Sequence, residues 1–190
     1  MNASAQGNML DVILDPCEFF QDSIQCQDGV ITEYLINGVY GVFSPDFVSK
    51  YFPNVSKLTL YNLSYPTPLA SVTDLTVSNP QSAIPDTYHT LKRLTLQCDD
   101  LVPAGDDPPP LPVYNGPISP NLTQLEYLSV NTLADNTRCI MLHGAIPSTL
   151  SQLTHFEVPN SNLSGTIPAT LTQLKYLDVQ NNQLTGTIPV

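Results

Sequence analysis

A four-residue motif, Gly-x-Ile-Pro, returns in the C-terminal third of the chain at a strict interval of 21 residues, beginning at Gly144, Gly165 and Gly186. Between two copies, apolar residues stand at every third place and then alternate, as they do from Leu171 to Val179. A spacing of three fits neither an amphipathic helix nor a strand, so no single segment decides the fold. The repetition does decide it, because coils that cannot bury their own apolar rows bury them against each other. We therefore predict a solenoid.

One sequence spacing of this repeat is also found in the N-terminal part of the chain, where the Gly-x-Ile-Pro motif is incomplete. The first apolar residue of each short strand follows the Pro position by nine residues, as from Pro147 to Phe156. The same register predicts six short strands, at residues 58–60, 75–77, 94–96, 128–130, 156–158 and 177–179, and a seventh near residues 32–36. All variation in length falls between a strand and the next Ile-Pro position, so long loop insertions are expected at residues 97–117 and 131–145.

Residues next to the buried strand positions are expected to form three outward columns, because alternate residues of a strand point to opposite faces. The first column contains Lys57, Asp74, Arg93, Tyr127, His155 and Tyr176, the second Thr59, Thr76, Thr95, Ser129, Glu157 and Asp178, and the third Tyr61, Ser78, Gln97, Asn131, Pro159 and Gln180. The candidate ligand contacts are Arg93, Gln97, Tyr127, Asn131, His155, Glu157, Tyr176, Asp178 and Gln180. Tyrosine and arginine are frequent in binding hot spots, although strand faces also favour tyrosine for structural reasons. Aromatic planes beside Asn, Gln and Asp side chains would suit a sugar or a peptide.

The charge balance narrows the class of partner. The chain has a net charge of −11 with only six Lys and Arg residues, and such a surface repels nucleic acid and anionic lipid. It contains no apolar run long enough to insert into a membrane. The three histidines occupy different positions of the repeat in different coils. The sequence also contains no motif of a catalytic nucleophile, a metal site or a phosphate-binding loop. We therefore expect no enzyme activity, no metal and no cofactor.

Four cysteines and several Asn-x-Ser/Thr sequons favour the secretory route. N-glycosylation is expected at Asn54, Asn62, Asn121 and Asn162. Cys98 and Cys139 fall in neighbouring coils at the edge that carries the long insertions, and we expect them to form a disulfide. The alternative is a cytosolic repeat protein with free thiols. Residues 1–11 lack the basic start and apolar run of a signal peptide, so the leader of a secreted form would lie outside this numbering.

Around Asn182 the residues follow L-x-x-L-x-L-x-x-N-x-L-x-G-x-I-P, a pattern that resembles the plant-specific class of leucine-rich repeats. That class includes the ectodomains of receptor-like kinases and receptor-like proteins, polygalacturonase inhibitors and secreted protist proteins. The resemblance implies an α/β-type solenoid, a right-handed superhelix with a parallel concave β-sheet and a mostly irregular or 3-10 convex side. Cys17 and Cys26 resemble the cysteine pair of the N-terminal cap in this class, which implies a disulfide between them.

The chain departs from this class in three respects. Its regular repeat is one L-x-x step shorter, and the buried Asn is kept only at Asn182, with Asp99 and Ser161 at that position in two other coils. No C-terminal cap follows the last Ile-Pro. We expect an N-terminal segment with the cap at residues 1–40 and about six leucine-rich repeats at residues 41–190.

These observations favour an extracellular recognition module, either secreted or part of a membrane protein's ectodomain, that binds a protein, a peptide or a glycan. An alternative is a structural component of an extracellular matrix or fibril, because an uncapped end at Val190 invites self-association or a further domain. A further alternative, implied by the resemblance, is an inhibitor of a cell-wall-degrading enzyme.

Overall fold

The computed structural model describes residues 24–27, 30–36, 55–61, 71–80, 84, 88–98, 114–131 and 140–189, with side chains from residue 55 onward except Tyr61. Within these ranges the chain forms strands and turns and contains no helix. The strands are β1 (Ile24–Gln27), β2 (Val30–Ile36), β3 (Lys57–Tyr61), β4 (Asp74–Ser78), β5 (Arg93–Gln97), β6 (Tyr114–Pro117), β7 (Tyr127–Asn131), β8 (Ile140–Ala145), β9 (His155–Glu157), β10 (Asn162–Gly165), β11 (Tyr176–Asp178) and β12 (Gln183–Leu184).

Eight of these strands form the first sheet, in the order β1-β2-β3-β4-β5-β7-β9-β11. β1 and β2 pair antiparallel, and the other neighbours are parallel. Equivalent residues of successive coils are direct register partners, as Leu128, Phe156 and Leu177 are. This arrangement confirms the six predicted strands and their register. β2 supplies the seventh, and the pairing of Tyr34 with Leu58 fixes its register.

A second, four-stranded parallel sheet was not predicted from the repeat. Its order is β12-β10-β8-β6, and from Tyr114 onward each coil contributes one strand to each sheet. The side of the solenoid that was expected to be mostly irregular is therefore partly a sheet. β6 and β8 occupy the ends of the two ranges expected to be insertions. The β6 sequence, Tyr-Asn-Gly-Pro, has weak strand propensity, so stacking of the coils rather than local preference brings these backbones together.

Consecutive turns explain the spacing of three. The amide of Leu150 donates to the carbonyl of Pro147 at 3.3 Å, and the amide of Leu153 donates to the carbonyl of Leu150 at 3.1 Å. Such i to i+3 bonds advance the chain by one turn for every three residues, as in a 3-10 helix. Each turn therefore presents its apolar residue to the same side, and both leucines are completely buried.

The core is one row of apolar side chains that runs through the stacked coils. Leu94, Leu128 and Phe156 are all fully buried, as is Tyr88. Desolvation by burial raises the pKa of the Tyr88 hydroxyl well above its ordinary value, so this tyrosine is a neutral part of the core. Cys98 follows β5, is buried and is disulfide-bonded. Its expected partner, Cys139, lies outside the described residues, and the pairing stays a prediction.

Asparagines hold the bend that follows the strands of the first sheet. Asn79, Asn160 and Asn181 stand four residues after the first buried strand residue, with φ values of 50°, 53° and 55°. Asparagine tolerates this left-handed conformation better than most residues. The side-chain amide of Asn181 donates to Oδ1 of Asn160 at 2.8 Å, so the bends of adjacent coils are also tied to each other.

The next position distinguishes the last coil from the one before it. Oδ1 of Asn182 accepts a hydrogen bond from the amide of Leu163 at 2.9 Å, and its Nδ2 donates to the carbonyl of Val158 at 2.7 Å. Both bonds cross to the preceding coil. Ser161 occupies the equivalent place one coil earlier, where its buried Oγ has no hydrogen-bond partner. The serine side chain does not provide the bridge that the asparagine provides.

Candidate ligand-binding face

The three predicted columns lie together on the outward side of the first sheet, called the column face below. The register places Arg93, Tyr127, His155 and Tyr176 on four successive strands. We call these four residues the ladder. They stand at the first position of strands that are parallel and in register, so each side chain lies directly beside its neighbour from the next coil.

The ladder side chains are in continuous contact. The guanidinium carbon of Arg93 lies 4.0 Å from the centroid of the Tyr127 ring. Tyr127 and His155 stack with centroids 4.3 Å apart and planes 12° apart, and His155 and Tyr176 stack at 4.3 Å and 6°. Arg93 also forms an ion pair with Asp74, with Nε and Oδ1 3.2 Å apart. A single chain of contacts therefore joins five adjacent strands.

Glu157 connects the ladder to the second column. Its Oε2 lies 3.3 Å from Nε2 of His155 and accepts a hydrogen bond from Oγ of the buried Ser129 at 2.8 Å. A carboxylate held by two neighbours loses little freedom when a ligand binds. The neighbouring Asp178 accepts a hydrogen bond from the amide of Gln180 at 3.1 Å through Oδ1.

The remaining candidate contacts lie on the same face. Nε2 of Gln97 donates to Oγ of Ser78 at 2.7 Å, and Oδ1 of Asn131 lies 3.2 Å from the hydroxyl of Ser129. The nine candidates are thus brought together as one surface. Asp74 and Ser129 belong to it as well, although neither was among the candidates. Their place in the columns was a signal for both, because Asp74 stands beside Arg93 and Ser129 beside Glu157 in the register.

The stacking changes the chemistry that the aromatic residues can offer. The faces of Tyr127 and His155 are covered on both sides by their ladder neighbours. A sugar that packs on an aromatic residue needs an open ring face, so these two rings do not provide such a platform. The expected sugar-binding planes are therefore absent at Tyr127 and His155, and the rings present their edges to a ligand.

Other predicted features lie away from this face or outside the described residues. Asn121 and Asn162 are exposed, whereas Asn54, Asn62 and Cys17 are not described and Cys26 is described only as backbone of β1. Among the described residues no group of His, Cys, Asp and Glu could hold a metal ion. No helix in the described part of the chain is long and apolar enough to cross a membrane.

Comparison with known proteins gives a family match at the C-terminal end of the chain. Residues 173–190 match the model of the Leucine Rich Repeat family. No curated protein sequence matches the chain.

Several solved structures are similar in fold. The crystal structure of the BIR3–SERK2 complex from Arabidopsis thaliana is 21% identical over 66% of this chain and 63% of that chain, with a TM-score of 0.45. The crystal structure of PEPR1–AtPEP1 is 22% identical over 90% of this chain and 27% of that chain, with a TM-score of 0.46. A third structure is the ectodomain of the plant membrane receptor kinase GASSHO1/SCHENGEN3 from Arabidopsis thaliana in complex with CASPARIAN STRIP INTEGRITY FACTOR 2. It is 22% identical over 88% of this chain and 26% of that chain, with a TM-score of 0.40. This chain spans less than two thirds of the length of each, and the likeness concerns the fold alone.

Proposed function

We propose that this chain is a leucine-rich-repeat protein and acts as an extracellular recognition module that binds a protein or peptide ligand through the column face. The observation that carries the proposal is the ladder. Four side chains from four coils are held in contact on the outward face of the sheet, although none of them is needed to fill the core.

The composition and the order of the ladder both suit recognition. Tyrosine and arginine are enriched among residues that dominate binding energy, because they offer large contact areas together with polar groups. The side chains of Arg93 and Tyr176 remain about half exposed, so they are accessible to a partner. Their stacking fixes the side-chain conformations before binding, which lowers the entropy lost on association.

The covered ring faces favour a protein or peptide over a glycan. A peptide can contact ring edges, the phenol hydroxyls and the carboxylates of Glu157 and Asp178 without an open aromatic plane. An extended segment is also long enough to reach several coils, since adjacent strands lie about 4.8 Å apart. The polar residues of all three columns can then contribute to one contact.

An extracellular location is part of the same proposal. The sequons at Asn121 and Asn162 are exposed, and the buried Cys98 is disulfide-bonded, as in proteins that pass through an oxidising compartment. Glycosidase treatment of the protein secreted from eukaryotic cells should lower its mass. An unchanged mass, together with alkylation of four free thiols, would count against this location.

The binding proposal is tested with a random-sequence peptide library displayed on phage. Selection on the wild-type protein should enrich peptides that no longer bind a triple variant with Tyr127→Ala, His155→Ala and Tyr176→Ala. Asn115→Ala is the matched control, because Asn115 is exposed on β6 of the second sheet, away from the column face. Circular dichroism establishes that each variant is folded.

The outcome separates the column face from the rest of the surface. Loss of binding in the triple variant and retention in Asn115→Ala supports the proposal. Enriched peptides that bind the folded triple variant as tightly as the wild type would place recognition elsewhere and overturn it.

A further inference from the structure

The charged residues of the column face are arranged differently in its two halves. In the N-terminal half of the first column the sign alternates, because Lys57, Asp74 and Arg93 stand on three successive strands. Each charge therefore has an opposite charge beside it in the register, and Arg93 and Asp74 form the ion pair already described. Opposite charges in such cross-strand positions stabilise a sheet.

In the C-terminal half the charged residues lie in the second column, and they have the same sign. Glu157 and Asp178 are direct register partners on β9 and β11, so two carboxylates stand side by side about 4.8 Å apart at their Cα atoms. Like charges in this position destabilise a sheet. Lys175, the basic residue nearest in sequence, forms no ion pair with either carboxylate. The neighbours of Glu157 are the His155 ring, with Nε2 and Oε2 3.3 Å apart, and the neutral hydroxyl of Ser129.

Both carboxylates keep an oxygen available for a ligand. The contacts of Glu157 with Ser129 and His155 go to Oε2, and Asp178 uses Oδ1 for the amide of Gln180. Among the described residues, Oε1 of Glu157 and Oδ2 of Asp178 have no hydrogen-bond partner. The side chains are partly exposed and lie beside the Tyr127–His155–Tyr176 stack, at the accessible part of the face.

We infer that the ligand of the column face is an extended peptide with basic side chains, which lie over β9 and β11 against Glu157 and Asp178. This inference rests on the proposed function and adds the chemistry of the ligand. A guanidinium or ammonium group would relieve the repulsion between the two carboxylates, and a guanidinium would match a carboxylate with paired hydrogen bonds. The net charge of −11 would also attract a basic segment from a distance.

The ladder sets a limit on how the cation is held. Because the faces of Tyr127 and His155 are covered, the cation gains little from these rings and depends on the carboxylates. The peptide backbone and its neutral side chains lie along the ring edges. The affinity for any peptide should therefore depend on the ladder. The preference for basic over acidic peptides should depend on the carboxylates of Glu157 and Asp178.

The test uses three labelled peptides of equal length in a Gly-Ser background, carrying Arg, Lys or Glu at the same positions, and measures binding by fluorescence anisotropy. The Arg peptide should bind most tightly, the Lys peptide less tightly and the Glu peptide not measurably. Glu157→Gln with Asp178→Asn should weaken the Arg peptide by about tenfold, the result of losing two partly exposed ion pairs. Glu126→Gln is the control, since Glu126 pairs with Lys92 outside the columns and should leave affinity within about twofold.

The outcomes distinguish this inference from the proposed function. If library peptides bind through Tyr127, His155 and Tyr176 but the enriched sequences are not basic, or the double carboxylate variant retains affinity, the proposed function stands and the inference fails. If spermine binds as tightly as the Arg peptide and does so without the ladder, the face attracts cations without recognising a peptide, and the inference is overturned. If no peptide depends on the ladder, both fail.

Discussion

The last coil and the middle coils show opposite relations between sequence regularity and burial. Residues 166–189 follow the repeat closely, but Leu177 and Val179 are only partly buried and Ile188 is 72% exposed. The coils that contain Leu94 and Leu128 are separated by a long insertion, yet both side chains are completely buried. A coil in a solenoid is covered by its neighbours on each side, so burial depends on place in the stack. Regularity identifies the fold, and position decides how much each leucine stabilises it.

The largest expected effect tests this difference directly. Leu128→Ala should lower the free energy of unfolding by about 2–5 kcal/mol, because it removes a fully buried side chain and leaves a cavity. Leu177→Ala, the equivalent change in the last coil, should cost only about 1 kcal/mol, since its side chain is already partly in water. Denaturant unfolding measures both. Equal losses would show that place in the stack does not control the contribution of a core leucine.

The second test compares Asn182 with Ser161, which occupy the same position in adjacent coils. Asn182→Ser should cost about 1–3 kcal/mol, because the amide of Leu163 and the carbonyl of Val158 lose their side-chain partner. Ser161→Ala should change stability by less than about 0.5 kcal/mol or raise it slightly, since its hydroxyl is buried without a partner. Thermal unfolding of the two variants provides the comparison. A large loss in Ser161→Ala would reveal a bond that the described contacts do not contain.

The third test concerns the glycine that begins each regular repeat, where the largest expected loss is smaller than in the first two tests. Gly165 has a φ of 79°, and a Cβ added there would meet Ala145 at an ordinary 3.8 Å. Gly165→Ala should therefore cost about 1–2 kcal/mol from backbone strain alone. Gly165→Asn should cost less, because asparagine adopts positive φ more readily, as Asn160 does here. If both variants lose the same stability in equilibrium unfolding, the backbone conformation is not the cause.

The strands of the first sheet could be predicted from the sequence because repetition multiplies a weak signal. Any one segment such as Leu94-Thr-Leu96 is too short to assign, but the constant nine-residue step aligns every coil, and the observed register follows that alignment. The same step placed the columns, and with them the candidate site. The second sheet could not be found in this way, because Tyr114–Pro117 pairs through its backbone and has no apolar alternation that would reveal it.

The stacking of the ladder side chains could not be predicted from the sequence either. The columns placed Tyr127, His155 and Tyr176 in a row, but the spacing does not determine whether rings stand open or stack on each other. That choice depends on side-chain rotamers and on the strand separation. Stacking covers the ring faces that a sugar would use, and it favours a peptide over a glycan as the proposed ligand.

The presence of a strand on both sides of the later coils also controls how the solenoid bends. Hydrogen-bonded strands keep adjacent coils about 4.8 Å apart in each sheet, so the inner and outer paths have similar lengths and the stack can curve only slightly. In the last coil the two registers differ, since partners are 21 residues apart in the first sheet and 19 apart in the second, so residues that lie side by side in the second sheet are not equivalent positions of the repeat. A surface that curves little fits a ligand that follows its length better than a round partner held in an arc.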